Sequence, residues 1–150
     1  MSAAMSRAAI RIGPEDFDPA AELAALGSAG AVASFTGHVR AEPGLVALAL
    51  EHYPAMTARE IARHAEEAQA RWPLLALRIV HRVGRLEPGA RIVFVGTASR
   101  HRRAAFEACE FLIDYLKIRA PFWKLEERGD GNRWVEAKES DDAAAQRWGR

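Results

Sequence analysis

The sequence predicts an α+β fold with mixed or antiparallel strand pairing. Most predicted strands are joined by turns rather than by helices, which is typical of this class. Two longer segments repeat apolar residues at the spacing of a helix face. The chain has 150 residues, of which 49% are hydrophobic and 27% are charged, which is enough for one ordinary core. Because no repeat, low-complexity tract or linker interrupts it, residues 1–150 are predicted to form a single domain.

The first third of the chain is predicted to contain three strands and a short helix. Asp18 is a candidate N-cap, Pro19 occupies the first helical position and Gly27 ends the helix. Pro43 and Gly44 break the chain and predict a turn at Ala41–Gly44. The predicted strands are Ala8–Ile12, Ala31–Val39 and Leu45–Tyr53, and the last two are expected to form a hairpin.

The remainder is predicted to contain two long helices and further strands. Thr57 and Glu60 have the spacing of a capping box before a helix that Pro73 ends. Strands are expected next at Ala76–Val83 and Ala90–Ala98. A helix follows from about Ser99 to Lys117, with Phe106, Cys109, Leu112 and Leu116 on its inner face. The chain is then expected to form two short strands around a Gly-Asp-Gly turn and a short helix or frayed end at Ser140–Arg150.

Composition excludes several classes of function. The formal net charge is only +1, so bulk charge does not indicate a nucleic-acid or membrane partner. The single cysteine, Cys109, excludes an internal disulfide and a cysteine-based zinc site, and mid-helix it is interpreted as a buried thiol. The five histidines lack metal-ligand spacing, so no metal is expected. With neither a signal peptide nor a membrane-spanning segment evident, a cytoplasmic setting is expected.

A basic cluster occupies the predicted start of the second long helix. Arg100, His101, Arg102 and Arg103 stand where the helix dipole is positive, and each cation there costs up to about 0.3–1 kcal/mol. A bound phosphate or carboxylate would remove this conflict, since helix starts also offer free N–H groups to anions. From physics alone, this interpretation and that of a solvated surface turn stand about level.

A second cluster lies in the segment YLKIRAPFWK. Lys117 stands in the last helical turn, where a cation is favourable, so it can simply be a partner of the helix dipole. Lys124 follows a Pro-Phe-Trp break and has no such explanation. If both ammonium groups face one pocket, each lowers the pKa of the other, and a lysine near neutrality can act as a base, an acid or a nucleophile.

The segment TGHVR, Thr36–Arg40, is a third and weaker signal. Gly37 permits close backbone approach, and the period of a strand places His38 and Arg40 on one side. Taken alone, the segment is better interpreted as an exposed strand end.

Several motifs in combination resemble one family, the molybdopterin synthase large (catalytic) subunit. They are SFTGHVR, LEHYPAMTAREI, the long run from IVHRVG through HRRAAFEA to DYLKIRAPFWK, and RWVEAKESD. The resemblance covers roughly residues 30–141, in the order of the family. HYPAMT, the HR before AFEA, and DYLK-x-RAPFWK are specific when they occur together.

The resemblance implies a fold, a reaction and partners. The fold is α/β-hammerhead-like with an additional antiparallel β-sheet. The enzyme converts cyclic pyranopterin monophosphate into the dithiolene of molybdopterin, and the sulfur comes from the C-terminal Gly-Gly thiocarboxylate of a small ubiquitin-like subunit. The large subunit is a homodimer within a heterotetramer. Neither nucleic acid nor a membrane is implied, and no metal or cofactor is needed for this step.

The resemblance also implies site residues. The two pocket lysines of the family fall on Lys117 and Lys124, which are expected to be catalytic. In this family the histidine–arginine pair can come from the partner chain. The positions expected to bind substrate are His38, Val39, Arg40, His101, Arg102, Lys117, Lys124, Leu125 and Glu126.

A shortened segment and Lys138 depart from the family pattern, and Leu125 occupies a variable position of it. The segment AEPGL after Arg40 is shorter than in many members, which changes the rim of the site. Lys138 stands where arginine is common, so it keeps the charge and loses the planar fork. Leu125 is expected to offer a backbone contact at most.

Two alternatives to the enzyme remain. A non-catalytic anion- or RNA-binding module could use the arginine-rich surface, although the low net charge and the lack of an aromatic-basic RNA motif oppose it. A scaffold for a ubiquitin-like partner is the other alternative. The retention of both lysines, Arg40 and the His101–Arg102 pair favours an active enzyme.

Overall fold

A computed structural model describes residues 7–135 and residue 148 of the chain. Within them lie eight strands and three helices. In chain order they are β1 (Arg7–Gly13), α1 (Pro19–Ala25), β2 (Ala31–His38), β3 (Leu45–His52), α2 (Pro54–Arg71), β4 (Leu74–Arg82), β5 (Gly84–Leu86), β6 (Arg91–Ser99), α3 (Arg102–Ile118), β7 (Phe122–Arg128) and β8 (Gly131–Trp134).

The first sheet has the strand order β1-β4-β6-β2 and carries the main core. β1 is parallel to β4, and the other pairs are antiparallel. Successive side chains of β4 point to opposite faces. Leu77 and Ile79 pack with α2 and α3, whereas Val80 packs with Phe17 and Phe94 on the side of α1.

The second sheet has the order β5-β3-β7-β8 and is antiparallel throughout. The predicted α+β class with an additional antiparallel sheet is therefore confirmed. The two short strands around the Gly-Asp-Gly turn are confirmed as β7 and β8, although β7 is longer than expected. The tail predicted at Ser140–Arg150 lies outside the described residues, apart from Trp148.

The predicted hairpin of the second and third strands is wrong. β2 pairs with β6, and β3 pairs with β5 and β7, so the turn at 41–44 carries the chain from one sheet to the other. The reason lies just before that turn. Val39 donates its N–H to the carbonyl of Ala90 and accepts from the N–H of Gly89, which commits this backbone to the segment before β6. The sequence prediction also missed β5, which has only three residues.

The predicted capping box of α2 is also wrong. The helix begins at Pro54, with Tyr53 as the N-cap residue and no side-chain cap bond. Proline is favoured at this position because its fixed φ suits a helix start. Thr57 is instead buried in the first turn, where its hydroxyl donates to the carbonyl of Tyr53 and accepts from Nδ1 of His52.

α3 begins at Arg102 rather than at Ser99. Ser99 is the buried last residue of β6, and its hydroxyl donates to the carbonyl of Pro73. The buried stripe of α3 contains Ala105, Ala108, Cys109, Leu112 and Leu116. Phe106 was expected in that stripe but is 64% exposed, because its position is one residue out of phase with it.

A buried carboxylate fixes α1 to the first sheet. Glu22 accepts hydrogen bonds from Arg11 at 2.6 Å and from Nε of Arg78 at 3.0 Å. Burial alone would raise the pKa of the Glu22 carboxyl, but the bonds from Arg11 and Arg78 outweigh it and hold the pKa below 4.5.

Replacing Glu22 with Gln is expected to lower the free energy of unfolding at pH 7 by about 1–3 kcal/mol, the worth of hydrogen bonds to a charged group. Because the folded-state pKa is lowered, this stability is present above the unfolded-state pKa and disappears as the pH falls through the folded one. Denaturant unfolding of both proteins between pH 3 and pH 7 measures the difference.

The matched control is Glu60→Gln, which removes the exposed α2 ion pair with Arg63. It is expected to cost at most about 0.5 kcal/mol. Equal losses for the two variants, or a Glu22 difference that does not change with pH, would contradict this account.

Candidate functional site

A pocket that is partly open to solvent lies between the two sheets at the end of α3. We call it the lysine pocket because Lys117 and Lys124 both line it. Its other lining residues are Gly37, His38, Leu48, Leu50, His81, Ile92, Val93, Ile113 and Leu116. Two cations thus share a site whose walls are largely apolar, an arrangement that strengthens electrostatic contacts with a bound anion.

Lys117 is held in place by the packing of α3. The helix buries Leu112 and Leu116 against the first sheet, which directs its last turn into the pocket. The Lys117 ammonium nitrogen lies 6.0 Å from the centroid of the Phe35 ring. Lys117 is also the one basic residue in the last turn of α3, so its charge suits the helix dipole as well as an anion.

Lys124 reaches the pocket from the second sheet. It lies on β7 opposite Leu50 of β3. Between the helix and the strand, the N–H of Ala120 donates to the carbonyl of Tyr115, and the N–H of Phe122 donates to the carbonyl of Ala120. These bonds fix the direction of the turn. The two lysines therefore stand on separate, rigid elements that converge on one space.

His81 is a pocket residue that the sequence analysis missed. It lies on β4, is 5% exposed, and stacks on the ring of Phe122 with the centroids 4.0 Å apart. Burial lowers the pKa of His81 to about 4, and the positive charges of Lys124 and Lys117 add to that effect. The imidazole is therefore neutral near pH 7. The available signal was a histidine in phase with Leu77 and Ile79, the strand positions that face the core.

Only part of the segment TGHVR lines the lysine pocket. A Cβ added to Gly37 would lie 2.9 Å from Cγ1 of Val93, so glycine allows the close pass expected there. His38 lines the pocket, whereas Val39 is buried with Leu50 and Leu86. β2 has a register shift at His38 and ends there, so the alignment of His38 with Arg40 stays a prediction. It fits the burial of Val39 between the exposed residues His38 and Arg40.

Leu125 and Glu126 follow Lys124 along β7. Leu125 lies opposite Ala49 and Trp134. The carboxylate of Glu126 accepts from Nε of Arg128 at 2.8 Å. Arg128 also donates to Glu42 at 2.7 Å, which ties the short turn after Arg40 to the second sheet. Glu126 therefore takes part in fixing the rim of the site.

His101 and Arg102 lie far from the lysine pocket within one chain. Both are exposed, with His101 as the N-cap of α3 and Arg102 as its first residue. At 1.5 Å per residue, the helix places Arg102 about 22 Å from Lys117. The first turn of α3 has no acidic residue, and His101 makes no side-chain cap bond, so the start of the helix keeps the electrostatic character of an anion site.

Cys109 and a metal site are the other candidates for chemistry considered from the sequence. Burial, followed by the charge of Glu110, raises the pKa of the Cys109 thiol to about 12, as expected of a structural cysteine. Within residues 7–135 and 148, no group of three or more His, Cys, Asp or Glu side chains is placed to hold a metal ion. No helix in this part of the chain is long and apolar enough to cross a membrane.

Comparisons with known proteins identify the family of the chain. The family model of the MoaE protein matches residues 12–119. The chain is 56% identical over 149 residues to a molybdopterin synthase catalytic subunit of Pseudomonas aeruginosa, covering 93% of this chain and 98% of that one.

Two solved structures extend the comparison. A molybdopterin biosynthesis MoaE protein from Burkholderia ambifaria is 51% identical, with a TM-score of 0.81, over 95% of this chain and 99% of that one. A molybdopterin synthase from Staphylococcus aureus is 30% identical, with a TM-score of 0.76, over 85% and 96% of the two chains. The chain belongs to the MoaE protein family.

Proposed function

We propose that the chain is the catalytic subunit of a molybdopterin synthase. It transfers sulfur from the C-terminal thiocarboxylate of a small ubiquitin-like subunit to cyclic pyranopterin monophosphate, which becomes the dithiolene of molybdopterin. The observation that carries the proposal is the convergence of Lys117 and Lys124, from α3 and β7, on one pocket. A phosphate-bearing substrate and an anionic sulfur donor both need such a cationic site.

The choice of lysine at these positions supports a chemical role. Only three of the 21 lysine and arginine residues in the chain are lysines, and two of the three are Lys117 and Lys124. Arginine holds its proton in proteins, whereas an amine can release one. A chain that uses arginine almost everywhere else thus keeps amines where proton transfer is required.

The reaction needs positioning and proton handling from the protein. The thiocarboxylate sulfur attacks a substrate carbon and forms a C–S bond while a C–O bond of that carbon breaks. The departing oxygen takes up a proton, and the product is an acyl thioester to the small subunit. Water then adds to the thioester carbonyl and the acyl–sulfur bond breaks. This releases the small subunit as a carboxylate and leaves the sulfur on the pterin. In our proposal Lys117 lies closest to the reacting carbon as acid/base and as charge partner of the thiocarboxylate. Lys124 assists proton transfer or binds the phosphate.

His101 and Arg102 would enter this site from a second copy of the chain. The length of α3 separates them from the lysines of their own chain, so a homodimer is required to bring them together. Two small subunits on the dimer complete a heterotetramer, and a cytoplasmic setting belongs to the same proposal. Arg40, His101 and Arg102 would hold the anionic reactants at the rim.

Replacing Lys117 with Ala is expected to lower turnover at least about 100-fold, the usual worth of a positioned acid/base group. Lys117→Arg keeps the charge and is expected to lose similar activity, because guanidinium does not release its proton. The assay combines the purified chain, a thiocarboxylated small subunit and cyclic pyranopterin monophosphate, and measures dithiolene product. Near-normal turnover by Lys117→Ala would remove Lys117 from the mechanism.

Arg102→Ala is expected to weaken binding of the pterin precursor about 10- to 150-fold, since a charge-assisted contact contributes about 1.5–3 kcal/mol. Arg103→Ala is the matched control. Arg103 is next to Arg102, but its side chain is 85% exposed and pairs with Glu107 on the same helix. Both variants are expected to keep the thermal midpoint of the wild type. Equal binding by the two variants would count against an anion site at the start of α3.

A further inference from the structure

We propose that His81 binds the substrate directly. In this assignment, Nε2 of His81 accepts a hydrogen bond from an N–H or O–H group of the pyranopterin in the lysine pocket. The inference rests on the proposed function, since it takes the pterin as the occupant of the pocket. It adds a residue of opposite hydrogen-bonding character to the two lysines.

The tautomer of His81 is set by its own strand. Nδ1 of His81 lies 2.8 Å from the carbonyl oxygen of Arg82, and a carbonyl can only accept, so Nδ1 carries the hydrogen. In a neutral imidazole the other nitrogen is then an acceptor. The stack on Phe122 holds the plane of the ring, so the direction of the Nε2 lone pair is fixed as well.

Nε2 of His81 is the ring nitrogen left for a ligand. Within residues 7–135 and 148, the hydrogen bond formed by His81 uses Nδ1, and none is formed by Nε2. In the same residues, the one side-chain polar atom that is both fully buried and without a hydrogen bond is the hydroxyl oxygen of Tyr115. His81 is 5% exposed and lines the lysine pocket, so a group bound in the pocket is the partner available to Nε2.

A hydrogen-bond acceptor complements the other polar groups that line the pocket. The ammonium groups of Lys117 and Lys124 can only donate, and most of the other lining side chains are aliphatic. Burial keeps His81 uncharged, with a pKa of about 4, so it does not compete with the lysines for a bound anion. Cyclic pyranopterin monophosphate carries N–H and O–H donors as well as a phosphate. One reactant can therefore satisfy His81 and the lysines together, in one orientation.

Two substitutions separate the ring nitrogens. The amide of His81→Asn reaches about as far as Nδ1 and can keep the bond to Arg82, but it loses the acceptor at Nε2. The longer His81→Gln can place an oxygen near Nε2. We expect Asn to raise the KM for the pterin precursor in the assembled synthase by about 3- to 10-fold, the worth of one hydrogen bond, and Gln to remain closer to the wild type.

The matched control is His64→Asn. His64 also stacks on an aromatic ring, that of Tyr115, and its Nδ1 lies 3.1 Å from a backbone carbonyl, but it lies outside the pocket. We expect it to leave the KM for the precursor unchanged. A purely structural role of His81 would instead reduce kcat and the thermal midpoint in Asn and Gln alike, with KM unchanged, and that result would overturn the proposal.

A measurement on the wild type decides the matter even if the variants fail to fold. The ¹⁵N resonance of Nε2 of His81, followed by NMR, is expected to shift towards that of a hydrogen-bonded acceptor when the precursor is added to the complex. An unchanged resonance at saturating precursor would overturn the proposal. If the wild type neither binds nor converts the precursor, the proposed function itself fails. Normal conversion with a wild-type KM in His81→Asn would reject only the role of His81.

Discussion

The turn from α3 into β7 is the constraint on which the geometry of the site depends. Backbone bonds from Ala120 to Tyr115 and from Phe122 to Ala120 fix this turn, which joins the helix on the first sheet to the second sheet. The lysines stand on either side of this junction, Lys117 in the last turn of the helix and Lys124 on the strand. Because both elements are fixed by buried side chains and backbone pairing, the two ammonium groups approach one space without relying on a flexible loop.

The length of α3 sets the second constraint. Its 17 residues bury one face against the first sheet, so the helix cannot bend to bring its ends together. The lysine pocket lies at one end and the His101–Arg102 pair at the other, about 22 Å away. A site that needs all these cations must draw them from two chains. Cations at the unfavourable end of the helix are then understandable, because an anion shared with a second copy would supply the missing negative charge.

Local signals predicted much of this molecule, and long-range pairing accounts for what they missed. Pro19, Pro73 and the Gly-Asp-Gly turn placed element boundaries well, since each acts on its neighbours along the chain. The prediction of a β2–β3 hairpin was wrong because the backbone of Val39 is hydrogen-bonded to Gly89 and Ala90, a pairing that no local pattern reveals. The lysines stood out by their position around a proline break. His81 did not, because a histidine in a buried strand becomes informative only when the pocket beside it is seen.

Complementation between two impaired variants, assayed at a precursor concentration well below the wild-type KM, tests the central claim most directly. The claim is that one site takes its lysines from one chain and its histidine–arginine pair from the other. Lys117→Ala and Arg102→Ala chains are mixed in equal amounts, allowed to exchange subunits, and assayed for dithiolene formation. In a symmetric dimer, each mixed pair has one site with both residues intact, so about a quarter of wild-type turnover should return. If the mixture is no more active than the average of its two components while subunit exchange is complete, the two-chain site is contradicted.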